Sequence, residues 1–293
     1  MALLEDILTD ILTAKDTGAL SVEEFYVCSP FTVVRLSDGS YGSAGNYAVQ
    51  NHQPDYDAEA VRRQYAARLS DDPLLLKSLR AATRPASLSL RVAILSALSQ
   101  RLLEPVALGR AGLTYRAVRD TSEPVQNCLQ AGDTVTLIGY GGGLETFCAS
   151  PRVRRLYVCD FIFQQRRYRD LAWLRIKQLT RQPQRVTLID GQSVQAPIEL
   201  STVCFITGSA LCNGTMDGLL ASAAGCREVI IQGPSCSLFP PSLFRRSVTM
   251  LLTTRKTAVE FAAGMQPGDQ IYDFADRHYV AIFPQSRRGN CRL

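Results

Sequence analysis

The chain has 293 residues, 46% of them hydrophobic and 20% charged, enough for two domains of about 150 residues that each bury a core. That composition excludes a chain that stays unfolded, and no apolar run approaches the ~18 to 20 uncharged residues of a bilayer span. Lys and Arg total 32 against 27 acids, a net charge of +5 with an Arg-rich stretch at Arg152, Arg154, Arg155, Arg166, Arg167 and Arg169, but no nucleic-acid-binding module accompanies it. Neither a nucleic acid nor a membrane is an expected partner.

Residues 2–15 read as an amphipathic helix, with Leu3, Leu4, Ile7, Leu8, Ile11 and Leu12 at helical spacing. Glu5 and Asp6 stand where a secretion signal would carry positive charge, so the expected compartment is the cytoplasm. The period then changes. Glu24 to Cys28 and Phe31 to Leu36 read as strands, and Ser37-Asp38-Gly39-Ser40 is a hairpin signal before Tyr41 to Tyr47. Helical patterns follow a polar connection at 51–57, at about 57–69, 73–82 and 87–103. The first domain, residues 1–110, is therefore expected to be α+β.

A composition shift over Pro105 to Ser122 marks the boundary, and residues 111–293 alternate strand and helix. Strands are predicted at Thr134 to Ile138, Arg155 to Cys159, Arg185 to Ile189, Val203 to Ile206, Glu228 to Ile231 and Val248 to Leu252, with helices at about 168–180, 215–224 and 256–264. Short, β-branched and continuously apolar, these strands fit burial on both faces. The fold class is α/β: a Rossmann-like, mostly parallel sheet preceded by a smaller α+β domain.

Ligands of such sheets sit outside the carboxyl ends of the strands. After the first of these strands comes Gly139-Tyr140-Gly141-Gly142-Gly143, a glycine-rich turn entering a helix, without the Lys-Ser/Thr of a phosphate loop. Asp160 ends the second strand, where an acid can accept bonds from ribose hydroxyls. Tyr157, Phe161, Phe163, Tyr168 and Trp173 surround it in sequence; most are expected in the core, with one or two free to cover an adenine or face a sulfonium. The fourth strand runs into Thr207-Gly208-Ser209 and Asn213-Gly214-Thr215, rich in uncharged hydrogen-bonding groups. The loop carrying Gln232, Gly233 and Ser235 is expected to form the opposite wall of the crevice.

Catalytic dyads and metal sites have little support. The two histidines, His52 and His278, adjoin no nucleophile motif, and the nine cysteines are odd in number and scattered, without a C-x-x-C pair. They are expected to be reduced thiols, and no metal ligand is proposed. If the chain is an enzyme, its ligand carries the reactive group.

The segments Ile206 to Leu220, Ile231-Gln-Gly-Pro-Ser and Ser87 to Ser99 resemble the family labelled putative heavy-metal chelation. The resemblance spans nearly the whole chain. It implies an enolase-N-terminal-like domain followed by a Rossmann-like domain, with a ligand crevice between them, and its most specific motif maps to Asn213, Gly214 and Thr215. The glycine turn also resembles the first motif of Rossmann-type S-adenosylmethionine enzymes, although Leu137 stands where those enzymes usually have an acid.

The leading expectation is an enzyme that uses S-adenosylmethionine as cofactor or substrate. It would transfer a methyl or aminocarboxypropyl group, or close the ligand into a small-ring amino acid such as azetidine-2-carboxylate with release of methylthioadenosine. Tyr140, Ser209 and Asn213 are the candidate catalytic residues. Gly139, Gly141, Gly142, Gly143, Asp160, Phe161, Thr207, Gly208, Thr215 and Ser235 are the candidate ligand-binding residues. The alternative is a protein that binds a metal chelate or metallocofactor. A nicotinamide-dependent dehydrogenase ranks lower, because Leu144 replaces the last glycine of its fingerprint. Exclusion of water calls for a crevice closed between two domains or between the subunits of a homodimer.

Overall fold

The computed structural model describes residues 2–14, 20–27, 31–46, 63, 85–255 and 278–287. The helical patterns at 57–69, 73–82 and 256–264, the 51–57 connection, His52 and the end of the strand expected to reach Tyr47 lie outside the described residues.

The N-terminal helix α1 (Ala2–Ala14) buries Leu3, Leu4, Ile7, Leu8 and Ile11 on one face. Strands β1 (Val22–Val27), β2 (Phe31–Leu36) and β3 (Tyr41–Gly45) form an antiparallel sheet in that order. Helix α2 (Pro85–Ser99) continues into a 3-10 turn over Gln100–Leu103, and all its residues from Leu88 to Ser99 are buried. Being buried on every side, it must also satisfy its polar groups, and Arg91 pairs with Glu5 of α1. Gly42 of β3 allows the approach: a Cβ there would lie 2.1 Å from the carbonyl oxygen of Ala93 in α2.

The second sheet has eight strands. They are β4 (Leu113–Val118), β5 (Asp133–Ile138), β6 (Val153–Asp160), β7 (Val186–Asp190), β8 (Val203–Thr207), β9 (Glu228–Gln232), β10 (Met250–Arg255) and β11 (His278–Pro284). Their order is β4-β11-β10-β9-β8-β5-β6-β7; the six from β10 to β7 pair in parallel, and β11 runs antiparallel to both its neighbours. The α/β class and the mostly parallel sheet follow the sequence reading.

Three details differ from that reading. The stretch 105–122, taken as a boundary, carries helix α3 (Pro105–Arg110) and the edge strand β4. The partner of β4, β11, is separated from it by about half the chain, so no local signal joined them. The sixth predicted strand is displaced to Met250–Arg255, following Ser247 in the left-handed region at φ 66°.

Helices α4 (Ser122–Cys128), α5 (Leu144–Ala149) and α6 (Arg166–Leu179) cover one face of the sheet, packing with Leu137, Phe205 and Ile230. Helices α7 (Gln195–Glu199), α8 (Met216–Ser222) and α9 (Pro241–Phe244) cover the other, against Ile138, Ile206 and Ile231, in one core with α1, α2, β2 and β3. Successive residues of each central strand therefore serve opposite faces. Among the described residues no helix is long and apolar enough to cross a membrane.

Candidate functional site

Successive strands leave β5 in opposite directions, β6 on one side and β8 on the other. The topological switch point thus lies between β5 and β8, the position at which α/β sheets generally bind their ligands. The glycine turn and Thr207 meet there. Gly139 sits at φ +96°, its N–H donates to the Cys159 carbonyl at 2.8 Å, and a Cβ would lie 2.7 Å from Thr207 Cγ2. At Gly143, φ is +82° and a Cβ would stand 3.0 to 3.2 Å from the rings of Phe147 and Phe205. Both positions therefore need glycine. Gly141 and Gly142 are exposed, with open space beyond Gly141, so ligand atoms can approach the backbone.

Asp160 organises this turn. One carboxylate oxygen accepts the backbone N–H of Tyr140 at 2.6 Å, and the other accepts that of Ile162 at 2.9 Å, capping the 3-10 turn at Phe161–Gln164. A carboxylate has about four acceptor sites, so two bonds leave capacity for a ligand. In register with Asp160 on the adjacent strand stands Asp190, a second strand-end carboxylate. Sequence reading passed over it, although it follows Ile189 as Asp160 follows Cys159. Phe161 is half-buried, with its backbone N–H 2.7 Å from where a Gly191 Cβ would fall.

The Tyr140 ring packs edge-on to Phe163 at 5.6 Å. Burial raises the pKa of its phenol above the ordinary tyrosine value, so near neutral pH it is a hydrogen-bond donor. Of the other aromatics, Phe163 and Tyr157 are buried, while Tyr168 and Trp173 are half-buried. Arg155 lies over the Tyr157 ring, 5.9 Å from its centre.

The loop after β8 divides between two surroundings. Thr207 caps a 3-10 turn at Gly208–Leu211, its hydroxyl accepting from Ser209 N–H, and Gly208 packs against Cys236 of the loop after β9. That contact brings the two loops together as walls. Gln232 extends beneath the turn: its Nε2 would be 3.5 Å from a Cβ on Gly142, and it donates to Thr121 Oγ1 at 3.2 Å. Its role was hidden in sequence because Thr121 is distant in the chain.

Asn213 and Thr215 bond to each other, Asn213 Oδ1 accepting from Thr215 N–H at 3.1 Å and Thr215 Oγ1 at 2.7 Å. The intervening Gly214 packs toward Leu88 of α2. Ser235 is buried, its Oγ accepting from Gly45 N–H at 2.8 Å, while the Gly45 carbonyl accepts from Ser89 at 2.7 Å. Ser235 thus ties the loop after β9 to the N-terminal elements, and the turn from Asn213 to Thr215 approaches them at Gly214. Tyr140, Asp160, Thr207, Gly208 and the glycines gather at the switch point.

Burial suppresses thiol ionisation. The pKa values of Cys159 and Cys212 are pushed up to about 12 by desolvation, and that of Cys236 higher still. The neighbouring Cys226 sulfur and burial also hold the Cys204 thiol well above its ordinary range. Among the described residues no three His, Cys, Asp or Glu side chains are grouped to hold a metal ion.

The comparisons with known proteins give one family model and a shared fold. The DUF364 family model, described as putative heavy-metal chelation, matches residues 125–265. That span is just under half of the chain and contains the glycine turn, Asp160 and the Asn213 to Thr215 turn. Two solved DUF364 proteins of unknown function have a similar fold. The one from Desulfitobacterium hafniense DCB-2 has a TM-score of 0.65 at 15% identity, covering 96% of this chain and 99% of that one. The one from Pyrococcus horikoshii has a TM-score of 0.62 at 17% identity, covering 95% and 98%. No curated protein matches the chain by sequence.

Proposed function

We propose that this chain is an S-adenosylmethionine-binding enzyme that acts at the ligand's sulfonium. One observation carries the reading: at the switch point, the Asp160 carboxylate holds the backbone of an open glycine turn and keeps acceptor capacity of its own. The donor set fits an adenosine-containing ligand. Gly141 and Gly142 offer backbone for close approach, Asp160 suits ribose hydroxyls, and Asp190 supplies a carboxylate for an amine donor such as that of adenine. Leu137 is fully buried in the core, so the ligand's ammonium must find its partner elsewhere.

When bound, S-adenosylmethionine supplies carbons already activated by the sulfonium. The chain's task is then positioning and exclusion of water, for which no catalytic dyad is needed. Tyr140 contributes a protonated phenol beside the turn, and Thr207 and Ser209 contribute hydroxyls from the facing loop. A thermal-shift series with S-adenosylmethionine, S-adenosylhomocysteine, methylthioadenosine, NAD and NADP tests this, because a ligand that binds only the folded state raises its stability. Mass spectrometry of the products then separates methyl transfer, aminocarboxypropyl transfer and ring closure. The reading fails if none of the adenosylated sulfur compounds shifts the melting temperature.

The family description favours a second reading, binding of a metal chelate. Since burial keeps Cys159 and Cys212 protonated and no metal site is grouped among the described residues, such a ligand would arrive preformed and be held by hydroxyl and amide groups such as those of Ser209, Asn213 and Thr215. Elemental analysis of protein purified without an affinity tag decides between them: stoichiometric metal supports the chelate.

A further inference from the structure

Helix α6 has two contrasting stripes. Ala172 and Ile176 are buried against the sheet, with Tyr168 and Leu179 half-buried beside them. On the opposite side Arg167, Leu171, Leu174 and Gln178 follow one another at spacings of four, three and four residues, which makes them one ridge along the helix. Leu171 is 51% exposed and Leu174 57%. Of the five large apolar side chains that stand exposed among the described residues, only these two share an element. Single exposed apolar residues are ordinary, whereas two on adjacent turns of one ridge form a strip that a partner can cover.

Charge surrounds the pair. The helix holds five cations, Arg166, Arg167, Arg169, Arg175 and Lys177, against one acid, Asp170. Asp170 pairs with Arg166 at 3.8 Å, and Arg175 pairs with Glu145 of α5. Arg167 stands exposed one turn before Leu171, and Lys177 stands exposed one turn after Leu174.

We infer that the outer face of α6 docks an acidic amphipathic helix of another protein, whose apolar residues cover Leu171 and Leu174 while its carboxylates meet Arg167 and Lys177. Helices pack by setting ridges of three- and four-residue spacing into grooves, the spacing that this ridge presents. Opposite charge steers the encounter and fixes the register, and the leucines lose water on contact. A second copy of the same face would set these cations against each other. A nucleic acid would meet the cations but leave the leucines against a polar backbone, and a bilayer calls for a broader apolar strip than two side chains.

The probe is a fluorescein-labelled peptide of about 18 residues, with leucines on one helical stripe and glutamates elsewhere, titrated with the full chain by anisotropy. The expected result is saturable binding that weakens as salt rises and is at least about fivefold tighter than that of a scrambled peptide of the same composition. Leu171→Ser with Leu174→Ser, and separately Arg167→Glu with Lys177→Glu, should each weaken it at least about fivefold. All four positions are exposed, so circular dichroism and melting should stay those of the wild type, and either double variant serves if the other misfolds. No saturable binding, equal affinity for the scrambled peptide, or wild-type affinity in either folded double variant would overturn the proposal. Tighter binding of duplex DNA or of phosphatidylglycerol vesicles, weakened by the leucine substitutions, would overturn it in favour of those partners.

Discussion

Asp160, the last residue of β6, accepts the backbone N–H of Tyr140 at 2.6 Å and so fixes the entrance of the glycine turn that follows β5. Asp160→Ala leaves that N–H and the N–H of Ile162 without their carboxylate. Each lost charged bond costs about 1 to 3 kcal/mol, so the variant should melt several degrees lower, and Asp160→Asn, which keeps one acceptor, should fall between. Equal melting of Asp160→Ala and wild type would remove the carboxylate from this structural role.

The close packing of β3 on α2 predicts a sharp contrast between two glycines. Gly42→Ala drives a methyl into the backbone of Ala93 and Ala97 and should cost about 3 kcal/mol or more. Gly218, exposed in α8 with nothing near its missing Cβ, should tolerate alanine or gain up to about 1 kcal/mol of stability. Denaturant titration of the two variants measures both effects.

Much of this architecture was legible in the sequence. Val135 to Ile138, Val203 to Ile206 and Val229 to Ile231 are short β-branched or apolar runs because both faces of each strand are buried, and they were placed within a residue or two. β4 escaped notice because Leu113-Thr-Tyr-Arg-Ala-Val lies at the sheet edge, where polar residues interrupt the apolar pattern, and its partner β11 comes about 160 residues later. At the site, strand-end position alone pointed to Gly139, Asp160 and Thr207. It could not separate these from Ser235, bound by the distant Gly45, or from Asn213, which bonds within its own turn to Thr215.

Buried thiols predict a loss of stability in alkali. Cys159 and Cys212 keep their protons in the folded state to about pH 12, whereas in the unfolded chain they ionise near their ordinary value of 9. Their raised folded values mean that the stability they contribute is complete below pH 9 and is lost as pH rises from 9 to about 12. Each should cost about 1.4 kcal/mol per pH unit within that window, and Cys204 and Cys236 act in the same direction. Chemical denaturation at pH 8, 9.5 and 10.5 reads the slope, and Cys→Ser at Cys159 or Cys212 should reduce it.

Half-buried Cys226 differs from these thiols, because its contact with Cys204 lowers its pKa. Brief iodoacetamide labelling of the native protein at pH 8, mapped by mass spectrometry, should modify Cys226 well before Cys159, Cys204, Cys212 or Cys236. Modification of all five at one rate would show that the core opens faster than it reacts.

Isothermal titration of S-adenosylmethionine into wild-type protein and Asp160→Ala tests the central claim most directly. The account predicts saturable binding to wild type and an affinity lower by about 5- to 150-fold in the variant, the equivalent of a lost hydrogen bond to a charged group at about 1 to 3 kcal/mol. No heat from S-adenosylmethionine, S-adenosylhomocysteine or methylthioadenosine, or identical affinity in the folded variant, would contradict it.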